Sequence, residues 1–477
     1  SPSGSAAAAT TPVADRAARR AFSPARAELN VFTMYTFPIF FKGTMVKPEK
    51  RIKPSLREAE LNINSRFPGG EHSGKCGTAP PPRRDAAVPF LPGRDSFTPV
   101  NRSATVNGMP TILVATDSFK STATADQATA SIASGIRSAV GSDVSVKAVP
   151  LADGGEGTAA ILAAAATRRG ETVERITLPT TDARGRLTEA TYYFSPSAQT
   201  AYIDVAAASG LPAVADSLDP LHADSYGTGV LIADAEAKGA RRIVLGLGGT
   251  ATVDGGSGIL AALGAPAHDE RGYALPKGGA PLVQLAAFDT AQLNVKAAGL
   301  DYTLLADTSC SPQLAAQTYG PQKGADKEQV ALLTGALLRL CDVTSIAPTH
   351  EYFGAAGALP VGLTHLSELL HGNRDHVEVL PGGTHVAQAV GLEEQIAAAD
   401  VVVSGEGAFD EQSLTGKAVG TVAELARRHD TPLGIVAGRF DVPAEPHAIW
   451  AQALSGEGEV FAQLRAAGHA LGTQIAQ

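Results

Sequence analysis

Cysteine, aromatic residues and long apolar runs are scarce in this chain of 477 residues, and each shortage excludes a class of protein. Three cysteines, Cys76, Cys310 and Cys341, are too few and too far apart for a disulfide framework or a cysteine-based zinc site. No apolar stretch reaches the roughly 18–20 residues that span a bilayer. We therefore expect a cytoplasmic protein with no membrane association and no secretory signal.

Basic charge is also in short supply, since the net charge is −9 and the pI is near 5.7. Nucleic acids and anionic membranes are bound through clustered Lys and Arg, so neither is an expected partner. Hydrophobic residues make up 44% of the chain, and the 50 glycines suit an α/β protein with many tight strand-to-helix turns. A length of 477 residues predicts more than one domain.

The first 108 residues differ from the rest of the chain. They are rich in Ala, Ser, Pro and Arg and carry neither helical nor strand periodicity, which predicts a disordered N-terminal extension over residues 1–108. Several arginines near the start stand among few acids, so a transit peptide is the functional alternative. We expect ordered structure to begin at Met109.

From residue 111 onward, short apolar runs alternate with amphipathic ones, which predicts strands alternating with helices and a largely parallel sheet. One helix is predicted after Ser121, with Ile132, Ile136 and Val140 on one face, and another after Ser413. The predicted strands cover residues 111–116, 144–151, 201–205, 242–247, 302–306, 401–404 and 433–437.

Five of these strands run directly into loops that combine glycine with a carboxylate. Because ligands bind outside the carboxyl ends of strands in open α/β sheets, we expect these loops to form one site. The loop residues are Asp117, Ser118 and Lys120; Asp153, Gly154, Gly155, Glu156 and Gly157; Gly248, Gly249, Thr250, Asp254, Gly255 and Gly256; Asp307; and Gly405, Glu406 and Asp410.

This combination of residues suits phosphoryl transfer. Glycine lets backbone amides approach a phosphate, and helix N-termini favour it electrostatically. Carboxylates beside such loops would repel phosphate unless a cation lies between them, which indicates Mg²⁺. Lys120 and Lys323 could supply positive charge. The structural alternative is that each Asp, Asp153 and Asp410 included, caps a helix N-terminus.

Other common motifs fit poorly. The Gly416-Lys417 pair lacks the first glycine and the hydroxyl residue of a P-loop. Gly246, Gly248 and Ala251 match a dinucleotide fingerprint, with Asp269 further on, so a dinucleotide-dependent oxidoreductase is one alternative. Five histidines between residues 350 and 385 are interpreted as surface residues, and no Gly-x-Ser-x-Gly elbow is present.

Taken together, the loops resemble those of the bacterial type I glycerate kinase family. The match extends from Met109 to about Gly438, in the family's order, and the 108 preceding residues lie outside it. The matching strings are TDSFK at 116–120, PLADGGEGT at 150–158, GLGGTATVDGG at 246–256, GPQKGA at 320–325, SGEGAFD at 404–410 and GK at 416–417. The loops at 307–312 and 353–360 and the tail after Gly438 depart from the family's pattern.

The resemblance implies ATP- and Mg²⁺-dependent phosphorylation of (R)-glycerate to 2-phosphoglycerate or 3-phosphoglycerate. It also implies two α/β domains with the active site between them. The discontinuous, Rossmann-like domain would cover residues 109–175 and 396–477, and the inserted domain residues 176–395. A non-catalytic metabolite-binding regulator on the same fold is the second alternative.

The residues that match the family's motifs are expected to contribute as follows. Asp254, Asp153, Lys120 and Lys323 are the catalytic candidates. Asp153, Glu156 and Asp254 are the candidate Mg²⁺ ligands. The remaining loop residues are candidates for binding substrate or nucleotide: Asp117, Ser118, Gly154, Gly155, Gly157, Gly248, Gly249, Thr250, Gly255, Gly256, Gly405, Glu406 and Asp410.

Overall fold

The computed structural model describes residues 109–119, 122–414 and 417–477. The predicted extension over residues 1–108 lies outside the described residues. Among the helices that are described, none is both long and apolar enough to cross a membrane.

The strands are mostly short. They are β1 (Thr111–Val114), β2 (Ser145–Ala148), β3 (Glu174–Thr181), β4 (Leu187–Ser195), β5 (Thr200–Asp204), β6 (Arg242–Gly246), β7 (Ala267–His268), β8 (Ala287–Phe288), β9 (Asp301–Ala306), β10 (Val377–Pro381), β11 (Val401–Phe409), β12 (Leu433–Phe440) and β13 (Trp450–Ala453).

The helices alternate with these strands. They are α1 (Ala125–Val140), α2 (Thr158–Arg168), α3 (Ala206–Ser209), α4 (Tyr226–Ala237), α5 (Ser257–Ala262), α6 (Val295–Ala298), α7 (Pro312–Tyr319), α8 (Lys327–Thr344), α9 (Ala355–His371), α10 (Gly382–Ala389), α11 (Leu392–Ala397), α12 (Ala418–Arg428) and α13 (Val460–Ile475).

Two large sheets organise the described residues. The first has the order β13-β12-β11-β1-β2, with every pair parallel, and combines strands from both ends of the described sequence. The second has the order β10-β9-β6-β5-β4-β3, parallel as far as β5 and antiparallel beyond it. The predicted fold class, two α/β domains of which one is discontinuous, is confirmed. The boundaries at residues 176 and 395 stay a prediction.

Some predicted strands differ from the structure in length, and some strands of the structure were not predicted. The strand expected to end at Ser404 continues as β11 to Phe409, because Gly405–Phe409 pairs with β12. Strand β3 carries Pro179, and only Thr180 among its residues is buried, so it lacks the apolar pattern of a buried strand. Proline is tolerated there because β3 is the edge strand of its sheet.

The predicted first helix is confirmed as α1. Thr124 and Gln127 form a capping box in which Gln127 N donates to Thr124 Oγ1 at 3.3 Å and Thr124 N donates to Gln127 Oε1 at 3.1 Å. Ile132 and Ile136 are fully buried, as the i, i+4 spacing indicates, while Val140 is half-buried at the end of the helix.

One apolar core connects the two sheets. Leu113 and Val402 of the first sheet belong to the same buried cluster as Tyr202 and Val244 of the second. Leu162 of α2 lies within this cluster, since α2 packs on β4, β5 and β6 although it follows a strand of the first sheet. The loop that leads into α2 is therefore held between the carboxyl ends of both sheets.

On the other face of the first sheet, α1 and α13 pack closely through glycines. A Cβ at Gly135 would overlap the carbonyl oxygen of Arg465, and one at Gly468 would overlap that of Ile132. The two helix backbones can approach only because these positions carry no side chain.

We expect Gly135→Ala to destabilise the protein by about 1–3 kcal/mol, because the added methyl group forces the two helices apart. Gly335→Ala is the matched control, because Gly335 lies in α8 with no atom within 4 Å of an added Cβ. It should stabilise by about 0.5–1 kcal/mol through helix propensity. Denaturant midpoints of the two variants should move in opposite directions; a shared direction would contradict the close packing.

Candidate functional site

The carboxyl edge of the first sheet brings Asp117 and Glu406 side by side. Asp117 follows β1, and its backbone N donates to Gly405 O of β11 at 3.0 Å. Both carboxylates are buried, with 6% and 7% of the residue exposed. Asp117 Oδ1 accepts a hydrogen bond from Ser118 N at 2.6 Å, which fixes the turn after the strand.

Glu406 is a buried acid with unused hydrogen-bonding capacity. Its Oε1 has no hydrogen-bond partner among the described residues. Burial raises the pKa of its carboxyl to about 7; Ser413 and Lys417 oppose this rise, and the nearby Asp153 and Asp410 carboxylates add to it. A buried acceptor without a protein partner costs free energy unless a ligand, an ion or a water supplies the missing bond.

The loop after β2 joins the two sheets. Leu151 N donates to Thr116 O of the first sheet at 2.9 Å, and Gly154 O accepts from Gly248 N of the second at 2.9 Å. Asp153 lies between these two anchors, is buried, and accepts a hydrogen bond at Oδ1 from the N–H of Gly155 at 3.1 Å. The loop therefore presents Asp153 towards Glu406, whose pKa responds to it.

The N-terminus of α2 is already occupied by a protein carboxylate. Asp204, at the end of β5, accepts from Gly157 N at 2.8 Å and from Ala159 N at 2.9 Å. Burial raises the pKa of Asp204 to about 7, although both of these hydrogen bonds oppose the rise. Glu156 is exposed beside it. The amide of Gly157 is therefore already bonded to Asp204, and a role for Gly157 in binding substrate or nucleotide stays a prediction.

Glycine is needed at the carboxyl edge of the second sheet because backbones and a carboxylate meet there. A Cβ at Gly248 would lie 2.7 Å from Gly155 Cα and 2.8 Å from Asp307 Oδ2. Gly249, the next residue, has a φ of +76°. Asp307 follows β9 in one of the loops that the sequence predicts for the site, where it has no assigned role, and the structure places it against Gly248.

Lys323 is buried behind this loop. Its Nζ donates to Thr252 O at 2.7 Å and to Thr250 Oγ1 at 3.3 Å. Burial lowers the pKa of the ammonium group to about 8, and nearby Asp307 and Asp254 oppose that change. Buried Lys323 therefore holds the Thr250–Thr252 segment in place through these two hydrogen bonds.

Asp254 has a structural environment. Its Oδ2 accepts from Ser225 N at 2.9 Å, from Ser225 Oγ at 2.8 Å and from Gly258 N at 3.0 Å, and its Oδ1 accepts from Gly256 N at 3.2 Å. The residue is fully buried and connects the start of α4 with the start of α5. Three of these four donors share Oδ2 and one bonds Oδ1, so Asp254 stabilises the framework; its role as a metal ligand or proton acceptor stays a prediction.

Gly255 and Gly256 follow with left-handed backbones of φ +60° and +79°. Gly255 N donates to Gly357 O of α9 at 2.9 Å.

Asp410 directly follows β11 of the first sheet. Its Oδ1 accepts from Gln412 N and Ser413 N and so closes a turn.

The three candidate Mg²⁺ ligands are not brought together. Among the described residues, no group of three or more His, Cys, Asp or Glu side chains is arranged to hold a metal ion. Lys120 lies outside the described residues. Lys417, whose Nζ is 4.0 Å from Asp410 Oδ1, is the cation that the structure adds near Glu406. The Gly416-Lys417 string could have identified it.

The dinucleotide alternative does not fit this geometry. The fingerprint requires a helix that begins at the glycine loop, but α5 begins at Ser257, six residues after Ala251. Asp269 instead closes a surface turn by accepting from Arg271 N and Tyr273 N.

Comparisons with known proteins agree with one another. A family model described as the glycerate kinase family matches residues 112–457. A glycerate kinase of Halalkalibacterium halodurans is 34% identical over 339 residues, covering 69% of this chain and 86% of that protein. A glycerate 2-kinase of Escherichia coli K12 is 34% identical over 335 residues, covering 69% and 84%. A crystal structure from Salmonella typhimurium LT2, named as a candidate glycerate kinase 2, superposes with a TM-score of 0.62 at 29% identity, covering 77% of this chain and 97% of that one.

We expect Asp254→Asn to destabilise the protein by about 1–3 kcal/mol, because an amide NH₂ would meet a backbone or hydroxyl donor where a carboxylate oxygen now accepts. Asp289→Asn is the control, since exposed Asp289 accepts only from Ala291 N at 3.0 Å, a bond that Asn can also make. Thermal unfolding of both variants checks this. An unchanged midpoint for Asp254→Asn would contradict the structural role.

Proposed function

We propose that this chain, which belongs to the glycerate kinase family, transfers the γ-phosphoryl group of ATP onto a hydroxyl of (R)-glycerate. The product would be 2-phosphoglycerate or 3-phosphoglycerate, and the enzyme a type I, cytoplasmic member of the family. The observation that carries the proposal is the loop at residues 153–157, which meets the carboxyl ends of both sheets within the region that matches the family model.

The carboxylates of the site fit Mg²⁺ as a minority of its ligands. This ion usually takes one or two protein carboxylates and completes its octahedron with phosphate oxygens and water. Asp153 is the carboxylate that we place in this role, because it is buried at the junction of the two sheets. Bound there with the nucleotide, Mg²⁺ would neutralise charge on the phosphates.

The phosphates would lie against the glycine loops. Gly154, Gly155, Gly248 and Gly249 carry no side chain, so a nucleotide can approach their backbone closely. Lys417 and Lys120 are the cations that we place on the phosphates. We assign Lys323 to positioning instead, since its ammonium group already bonds the Thr250–Thr252 segment.

Glu406 is our candidate for receiving the proton of the attacking hydroxyl. Its unpartnered, buried Oε1 lies at the carboxyl edge of β11, beside the Asp153 loop. A carboxyl whose pKa is close to the working pH is well suited to general-base catalysis.

The full chain should release ADP from ATP when (R)-glycerate and Mg²⁺ are both present. EDTA should abolish turnover and added Mg²⁺ should restore it, because the metal offsets repulsion between phosphate and the Asp153 carboxylate. A reaction without glycerate is the control, and phosphorus NMR of the product distinguishes the 2-phosphate from the 3-phosphate. Full turnover in EDTA would remove the metal assignment, and no ADP release with glycerate would refute the function.

The pH dependence tests Glu406. Only its deprotonated form can accept a proton, so kcat/KM should rise with pH and level off above about 7. Glu406→Gln should lower kcat by roughly 10²–10⁴-fold and remove that rise. Glu411 is exposed and lies five residues from Glu406, so Glu411→Gln is the control variant. It should keep the kcat of the parent and the rise of kcat/KM with pH. The same pH profile in Glu406→Gln would show that another group takes the proton.

A further inference from the structure

A cavity of about 350 Å³ lies between the edge strand β10 and helix α9. Three rings line it, those of His350, Tyr352 and Phe353, and the rings of His350 and Phe353 are 3.9 Å apart between centroids. Val377 and Val379 of β10 also line it. Aromatic and apolar walls of this kind favour a flat ring.

Thr364 of α9 adds one buried polar group to this cavity. The residue is 3% exposed, and its Oγ1 has no hydrogen-bond partner among the described residues. Thr344 of α8 is buried to a similar degree, but its hydroxyl has a partner. Its Oγ1 donates to Leu340 O at 2.8 Å, as buried threonines in helices often do. Since an unpaired buried hydroxyl is costly, a ligand atom that pairs with Thr364 would offset that cost.

The charges at the cavity favour a neutral ligand. Arg374 lines it, but its guanidinium already donates to Glu368 Oε2 at 2.8 and 2.9 Å and to Ser345 O at 3.0 Å. Glu351 and Glu378 also line the cavity. A phosphate or carboxylate would meet these acids without an unengaged cation to balance it.

We propose that this cavity binds a neutral, planar heteroaromatic ring of nucleobase size that hydrogen-bonds to Thr364. A volume of about 350 Å³ lies in the lower part of the roughly 300–1,000 Å³ range of small-molecule pockets, which suits a ring of this size with a small substituent. The cavity wall is joined to the loop after Asp307, since Tyr352 N donates to Ser309 O at 3.1 Å and Gly354 N donates to Cys310 O at 2.8 Å.

Adenosine is the probe, since it carries such a ring without phosphate charge. Calorimetric titration of the full chain should detect binding, and Thr364→Val, which keeps the shape but removes the hydroxyl, should weaken it about five- to tenfold. The ligand-free Thr364→Val protein should unfold at the same or a higher temperature than the parent. Thr344→Val is the matched control and should leave adenosine binding unchanged.

His350→Ala provides a second variant that should fold normally, because His350 is exposed, and it should also weaken binding. The proposal would be overturned if the parent protein did not bind adenosine, or if both cavity variants bound it with the affinity of the parent. A non-hydrolysable ATP analogue then separates two sources of the ring. Displacement of adenosine identifies the base of the nucleotide, and simultaneous binding identifies a separate small molecule. These measurements need no turnover, so they stand apart from the kinase assignment.

Discussion

The close approach of backbones around the loop at residues 153–157 is the constraint on which the site depends. Gly154 packs against Leu305 O, Gly248 against Gly155 Cα, and Gly382 against the carbonyl group of Asp153, at distances that leave no room for a Cβ. Because these contacts join strands of both sheets, the loop cannot shift without disturbing the shared core around α2. The position of Asp153 is thereby set by packing rather than by its own hydrogen bonds.

Three of the carboxylates in this protein are of two kinds by what their oxygens accept. Half-buried Asp204 and fully buried Asp254 bond backbone amides at helix N-termini and so stabilise the framework. Glu406 is also buried, but its Oε1 has no partner among the described residues. The framework stabilised by the first kind holds the second kind in place, and an acid held in this way can serve chemistry or a ligand.

Much of the architecture could be predicted from local patterns. The alternation of apolar and amphipathic runs identified most strands of the parallel part of both sheets, and the spacing of Ile132 and Ile136 identified α1. Strands β3, β4, β7, β8, β10 and β13 were missed. In strand β3 only Thr180 is buried, so its pairing with β4 depends on tertiary position rather than on an apolar sequence pattern.

The sequence by itself determined which residue types stand at the ends of the strands, and hence that glycine and carboxylates gather at one edge. Only the tertiary structure decided which of these carboxylates already accept hydrogen bonds from the protein. Asp254 and Glu406 look alike in sequence, since each lies beside glycine after a strand, yet Ser225, 29 positions away, supplies two donors to Asp254. Hydrogen-bond partners brought in from distant segments leave no local signal, because burial and satisfaction depend on how the chain packs.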